Sequence, residues 1–370
     1  MAVNERLREL HDAGVSIWLD TLSRDLLDSG AFAALVADYA VTGATSNPTI
    51  FAKAITGSDV YDDQLRAGDG RDTRELFFDL ALDDVGRAAD LLHDTYERSD
   101  GRDGFVSFEC TPDLADDTAA TAEQARELWS RLARPNVMIK VPATEAGVPA
   151  IEELTAGGVN VNVTLLFSVA RYEQVIDAYV AGLERRVAAG QPVDTIASVA
   201  SFFVSRVDAK ADALLPAGSP LRGRVAIANA HLAYGRYRER FADERWRALE
   251  AAGARPQRPL WASTGTKDPA YSDVLYVEEL IAPDVVNTMP ESTLRAFADH
   301  GRVSRSLDES SAAAEEIIRA AHDAGIDLAA ITAQLEREGV QSFCASYHEL
   351  LDCIEARLPA AAPALRKEAS

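Results

Sequence analysis

The sequence predicts an α/β fold: one parallel (β/α)8 TIM barrel spanning residues 1–370, with an extra N-terminal helix and a C-terminal helical extension. Three observations carry this. Eight short apolar or β-branched runs alternate with amphipathic helical stretches, as parallel strands joined by helical crossovers require. A doubly wound sheet would open on a phosphate-binding fingerprint, and neither GxGxxG nor GxxxxGK followed by Ser or Thr occurs. A barrel takes about 250 residues, so roughly a hundred remain for the terminal helix, long crossovers and the extension. Two average domains would also fit the length, but no linker rich in Pro, Gly or Ser divides the chain.

The strand runs are expected at 15–19, 42–45, 105–109, 137–141, 159–164, 196–201, 260–263 and 285–288, each rich in Val, Ile, Leu, Phe or Thr. Between them, apolar residues at three- and four-residue spacing predict helices over 72–98, 115–132, 169–189 and 223–251. Asp113 and Ser168 are the expected N-caps of two of these. Beyond the eighth strand, 308–358 reads as helical, and the extension 308–370 is expected on the barrel exterior.

Composition bounds function. A hydrophobic content of 47% is ample for a core. A net charge of -22 argues against a nucleic-acid groove or an anionic membrane as partner, while an anionic small molecule stays possible where a few cations converge. No apolar run approaches the roughly 18–20 residues that cross a bilayer, and Met1–Arg6 has no signal-peptide core, so a soluble, cytoplasmic protein is expected. Cys110, Cys344 and Cys353 form no CxxC pair, which indicates reduced thiols and no zinc site. Oligomeric state, monomer or homodimer, is left open.

Lys140 interrupts the apolar run Val137-Met138-Ile139-Lys140-Val141-Pro142. An ammonium taken out of water without a partner costs several kcal/mol, and a neutral amine is a nucleophile toward carbonyls. Of the other lysines, Lys210 and Lys367 read as solvated, Lys53 follows a turn and Lys267 lies in a Ser/Thr/Gly loop. A snorkelling or salt-bridged strand lysine is the alternative.

Chemistry in such barrels sits where strands end. The polar residues there are Asp20, Ser46 with Asn47, Glu109, Asn162 with Thr164, Ser201 with Arg206, and Ser263 with Thr264, Thr266 and Lys267. Each alone has a local explanation, such as a cap for Asp20 or a turn for Asn47-Pro48. Together they surround one mouth with a lysine, two carboxylates, amides, hydroxyls and two cations. Glu109 and Asp20 are the candidate acid and base groups, and Thr164 a hydroxyl able to hold a shuttling water. Arg206 and Lys267, with Ser201 and Ser263, suit a terminal phosphate. The six histidines fall away from the strand ends, and neither HExxH nor GxSxG occurs.

Six segments in order resemble the transaldolase family, in its long bacterial form. They are Ser16-Ile17-Trp18-Leu19-Asp20, Thr45-Ser46-Asn47-Pro48-Thr49-Ile50-Phe51, Ile139-Lys140-Val141-Pro142-Ala143-Thr144, 158–168, 200–206 and Trp261-Ala262-Ser263-Thr264. The resemblance implies a class I Schiff-base enzyme of the pentose phosphate pathway that needs no cofactor or metal. Lys140 would attack C2 of sedoheptulose 7-phosphate, keep a dihydroxyacetone unit and pass it to glyceraldehyde 3-phosphate, giving erythrose 4-phosphate and fructose 6-phosphate. It also implies that Glu109, with a water near Thr164, dehydrates the carbinolamine and that Asp20 exchanges a proton with the substrate hydroxyl. Asn47 and Asn162 would hold the dihydroxyacetone hydroxyls, Ser201 would bind substrate, and Arg206 would bind phosphate. Two departures stand out: Lys267 where shorter relatives place an arginine close behind the serine, and Ser46 where threonine is common. Related aldolases that release free dihydroxyacetone tend to be shorter, to lack the counterpart of Glu109 and to carry tyrosine in place of Phe203. A sugar-phosphate-binding barrel without activity is the rival from another class.

Overall fold

The computed structural model describes residues 3–68, 70–304, 307 and 311–358; Lys367 and the expected start of the extension at 308 lie outside them. Eight parallel strands close in sequence order: β1 (Val15–Leu19), β2 (Val41–Thr45), β3 (Val106–Glu109), β4 (Val137–Pro142), β5 (Val161–Leu166), β6 (Ser198–Phe203), β7 (Arg258–Ala262) and β8 (Val285–Met289). β1 pairs with β8 along its whole length, which seals the barrel and leaves no edge. The N-terminal helix Glu5–Asp12 is present, with Asn4 accepting from the Leu7 amide at 3.2 Å. Among the described residues no helix is long and apolar enough to cross a membrane.

Register decides the site. Glu109 pairs with Lys140, and Lys140 with Asn162, so three polar side chains stand abreast on adjacent strands. Side chains alternate faces with period two, which places this row together inside the barrel.

β5 and β6 begin two residues later than expected, and Asn160 explains why. Its amide donates to the Pro135 and Val137 carbonyls at 3.0 and 3.2 Å, while its carbonyl accepts from the Ala197 amide at 2.9 Å. The side chain thus occupies backbone groups that a ladder would otherwise use. Helix 72–98 is two helices, Thr73–Leu91 and His93–Arg98, meeting at the buried Leu92. The stretch 223–251 likewise divides into Val225–Arg240 and Glu244–Ala251, the second capped by Asp243 on the Trp246 amide at 2.7 Å. Ser168 is a cap as expected, accepting from Arg171 at 3.1 Å. Asp113 is not: Asp117 caps Thr118–Leu132, and Asp113 lies in the short turn Pro112–Leu114, 2.9 Å from His348.

The extension forms helices Ser311–Asp323 and Leu328–Arg357, and the longer one does not simply wrap the exterior. It lies across the C-terminal end of the barrel, over the helices that follow β2 and β6. Thr49 donates to Ser346 at 2.7 Å, and Lys210 pairs with Glu338 at 2.7 Å. Phe343, Tyr347, Leu350 and Ile354 repeat at three- and four-residue steps and are all buried, so this face needs a partner. β5 adapts to it: Leu165 takes φ 55° at a register break. That left-handed residue costs about 1–2 kcal/mol, and it points the leucine at Gly339, where a Cβ would come within 2.8 Å.

The loop after β1 is anchored by a buried network. Arg24 Nε donates to Asp84 at 2.8 Å, Tyr61 donates to the other Asp84 oxygen at 2.9 Å, and the guanidinium lies 4.7 Å from the Tyr61 ring. Arg24→Ala would leave Asp84, fully buried, without its cation. The expected cost is about 3–5 kcal/mol, read as a lowered urea midpoint; a midpoint within error of wild type would refute this.

Candidate active site

Lys140 projects from the middle of β4 and is 5% exposed. Its Nζ donates to the Ser46 carbonyl at 2.9 Å and lies 3.6 Å from Glu109 Oε1. The salt-bridged alternative is therefore part of the geometry, though 3.6 Å is an ion pair rather than a hydrogen bond. Glu109 is buried, and neither carboxylate oxygen has a hydrogen-bond partner among the described residues. Burial pushes its pKa up, while the charges of Lys140 and Arg206 pull it back. Thr164, two residues beyond Asn162 on β5, also buries an unpartnered hydroxyl. Buried polar atoms of this kind are usually satisfied in folded proteins by ordered water or a ligand.

Asp20 follows β1 at the mouth. Its carboxyl is raised chiefly by burial, against a hydrogen bond from Thr21 and the charges of Lys267 and Lys140. A cavity of about 600 Å³ opens there, bordered by Asp20, Asn47, Lys53, Arg206, Ser342 and Phe343. Its volume lies within the roughly 300–1,000 Å³ of small-ligand sites. Arg206 lies over the Phe203 ring at 5.0 Å and makes no ion pair among the described residues, so a guanidinium without a direct carboxylate partner borders the cavity. Burial lowers the Arg206 pKa and Glu109 opposes that shift.

The amides and hydroxyls are partly engaged. Ser201 donates to Asn162 Oδ1 at 2.7 Å, and Asn162 Nδ2 donates to Ser107 at 2.9 Å. Asn47 caps the helix Pro48–Thr56 by accepting from the Ile50 amide at 3.0 Å. Ser263 adopts φ 57° just after β7 and shares a 2.8 Å hydrogen bond with Ser205, at the start of helix Ser205–Leu214. The structure thus brings Lys140, Glu109, Asn162 and Ser201 together inside the barrel and Asp20, Asn47 and Arg206 around one cavity. Lys267 does not border that cavity, although its charge acts on Asp20. It is exposed and borders a separate one of about 450 Å³ with Ser205, Asp208, Asp212 and Arg222.

Several contributors were not among the candidates. Ser107 orients Asn162, Phe203 supports Arg206, and Ser342 and Phe343 come from the extension. Ser107 shares the inward face of β3 with Glu109, a period-two signal that was available. Ser342 and Phe343 carried no local signal.

The profile of the Transaldolase/Fructose-6-phosphate aldolase family matches residues 17–354. This chain belongs to that family. Similar transaldolases include one from Saccharopolyspora erythraea, 52% identical over 364 residues, covering 97% of this chain and 99% of the relative. Another from Thermobifida fusca is 50% identical over 362 residues, covering 96% and 98%. A third, from Mycolicibacterium smegmatis, is 50% identical over 369 residues, covering 98% and 100%. Within this family member, the loop that carries Lys267 is docked by buried acids: Tyr271 donates to Asp212 at 2.7 Å and Tyr276 to Asp208 at 3.0 Å. Burial raises the Asp208 pKa to about 7, against about 3.9 for an unfolded aspartate. The folded state binds more protons between those values, so this group lowers stability as pH rises from about 4 to about 7. Asp208→Asn removes the titration. Urea midpoints at pH 5 and 8 should show wild type losing ground to the variant at the higher pH; a gap that does not change with pH would disprove the assignment.

Proposed function

We propose that this chain is a transaldolase of the non-oxidative pentose phosphate pathway, a transferase acting through a lysine Schiff base. It moves a dihydroxyacetone unit from sedoheptulose 7-phosphate to glyceraldehyde 3-phosphate, releasing erythrose 4-phosphate and forming fructose 6-phosphate. The observation that carries this reading is the buried pair of Lys140 Nζ and Glu109, 3.6 Å apart, with both carboxylate oxygens unpartnered.

The Lys140 nitrogen attacks the C2 carbonyl, forming a C–N bond while the carbonyl electron pair moves to oxygen and takes a proton. Glu109, through a water held near Thr164, protonates that hydroxyl so that water leaves and an iminium remains. A carboxyl with an upward-shifted pKa suits proton delivery near neutrality. Asp20 accepts the proton of the C4 hydroxyl as the C3–C4 bond breaks, its electrons passing into the iminium to give an enamine. The aldose phosphate departs, and the enamine adds to the aldehyde of the acceptor. Asp20 returns the proton, and hydrolysis frees Lys140. Arg206 and Lys267, with Ser263, bind the phosphate, while Asn47, Ser201 and the remaining N–H of Asn162 are directed at substrate hydroxyls. The same reading places the enzyme in the cytoplasm, where its three free cysteines stay reduced.

Carbon-13 NMR of fructose 6-phosphate labelled at C2, with erythrose 4-phosphate, tests the reaction class. Label should appear in sedoheptulose 7-phosphate. Consumption of fructose 6-phosphate matched by free dihydroxyacetone would make the protein an aldolase instead.

A further inference from the structure

The opposite, N-terminal face of the barrel carries a further cleft of about 590 Å³. It opens where strands begin: Phe105 precedes β3, Arg258 opens β7 and Asp284 precedes β8. Its floor is Trp18, Met138 and Val199, each two residues before Asp20, Lys140 and Ser201 on the same strands. Strand periodicity places them on the same inward face, one level beneath the proposed active site.

One wall is aromatic. Phe241 meets Trp246 edge-on at 4.7 Å, and Tyr237 lies 5.2 Å from Phe241. Four arginines, Arg102, Arg238, Arg255 and Arg258, share the cleft with three carboxylates, in a chain whose acids outnumber its bases 59 to 37. Two of the four have structural work. Arg258 donates to the carbonyls of Arg102 and Val285 at 2.9 and 3.0 Å and to Ser16 at 2.6 Å, tying strand starts together. Arg102 pairs with Asp284 at 2.9 Å. The other two lack such a role. Arg238 makes no ion pair among the described residues, and the carboxylate paired with Arg255 is that of Asp100, fully exposed and 3.8 Å away. Gly101 clears space for Arg255, since a Cβ there would come within 2.8 Å of its Nη1. Two available guanidiniums in one cleft with the half-buried Phe241 ring match a planar ring that carries phosphate.

We propose that this cleft binds a nucleoside phosphate, with its ring against Phe241, which the buried Tyr237 and Trp246 hold from behind, and its phosphate on Arg238 and Arg255. The volume lies inside the roughly 300–1,000 Å³ of small-ligand sites. Full-length protein should be titrated calorimetrically with AMP, ADP, ATP and inorganic phosphate, alone and with saturating fructose 6-phosphate. Nucleotides should bind, more tightly than inorganic phosphate and unaffected by the sugar phosphate. The double variant Arg238→Glu, Arg255→Glu should weaken binding at least about tenfold, as loss of charge-assisted hydrogen bonds implies. A wild-type urea midpoint for that variant shows that its fold is intact; if it is lowered, the single variant Arg238→Glu, at an exposed position, should still weaken binding.

The proposal is overturned if no nucleotide binds up to about 10 mM, far weaker than functional small-molecule affinities. Binding that survives charge reversal, is displaced by fructose 6-phosphate, or is matched by inorganic phosphate would also overturn it. So would a concentration-dependent dimer abolished by the variant, which would assign the cleft to a second copy. Because binding rather than turnover is read, failure here leaves the proposed reaction untouched.

Discussion

Lys140→Met is expected to lower kcat by on the order of 10⁵-fold or more, the scale on which deletion of a covalent nucleophile registers. No other lysine among the described residues shares the position: Lys53 borders the mouth cavity, Lys267 is exposed in another, and Lys210 is paired with Glu338 at 2.7 Å. Methionine fills similar volume, so the core should hold its shape. What changes is the partner. Glu109 loses the cation that pulled its raised pKa back, so the folded-state value moves further up. The sign follows: above that value the variant carries an uncompensated buried carboxylate, and its stability should fall as pH rises through it. Retained fold at mildly acidic pH with turnover abolished would separate chemistry from structure. A variant with near wild-type kcat would remove Lys140 from the mechanism.

Glu109→Gln should lower kcat by about 10²–10⁴-fold, the range for general acid and base groups, with little change in KM. Beyond the 3.6 Å ion pair with Lys140 the carboxylate has no partner among the described residues, so the amide should be tolerated. Its role is expressed as a proton moves, hence in the transition state. Burial raises both Glu109 and Asp20, so the acid limb of the wild-type pH profile should lie above the ordinary carboxylate range. Activity falls as pH drops through the Asp20 value, because Asp20 must accept a proton. An unchanged kcat in Glu109→Gln would eliminate its proton-transfer role.

The barrel was legible because its signals are local. Val137-Met138-Ile139-Lys140-Val141-Pro142 announces a buried strand with one exception, and the strand ends mark the mouth without any tertiary information. Distance in sequence hid the rest. Asn160 shifts two strand starts by bonding Pro135, Val137 and Ala197. The Asp113 carboxylate, expected to cap a helix, is used by His348, 235 residues away. The periodicity of 328–357 shows a buried face but not what it covers, so the contribution of Ser342 and Phe343 to the mouth emerged only from packing. Ser46 holds Lys140 through a backbone carbonyl, which every residue type has. Lys267 borders a different cavity from Arg206 while its charge still acts on Asp20, a placement that loop order does not show.

Borohydride reduction in the presence of fructose 6-phosphate, followed by peptide mass mapping, tests the central claim most directly. A reduced dihydroxyacetone adduct on the peptide containing Lys140, absent in Lys140→Met, is the predicted result. An adduct on Lys53 or Lys267, or no adduct while transfer proceeds, would contradict it.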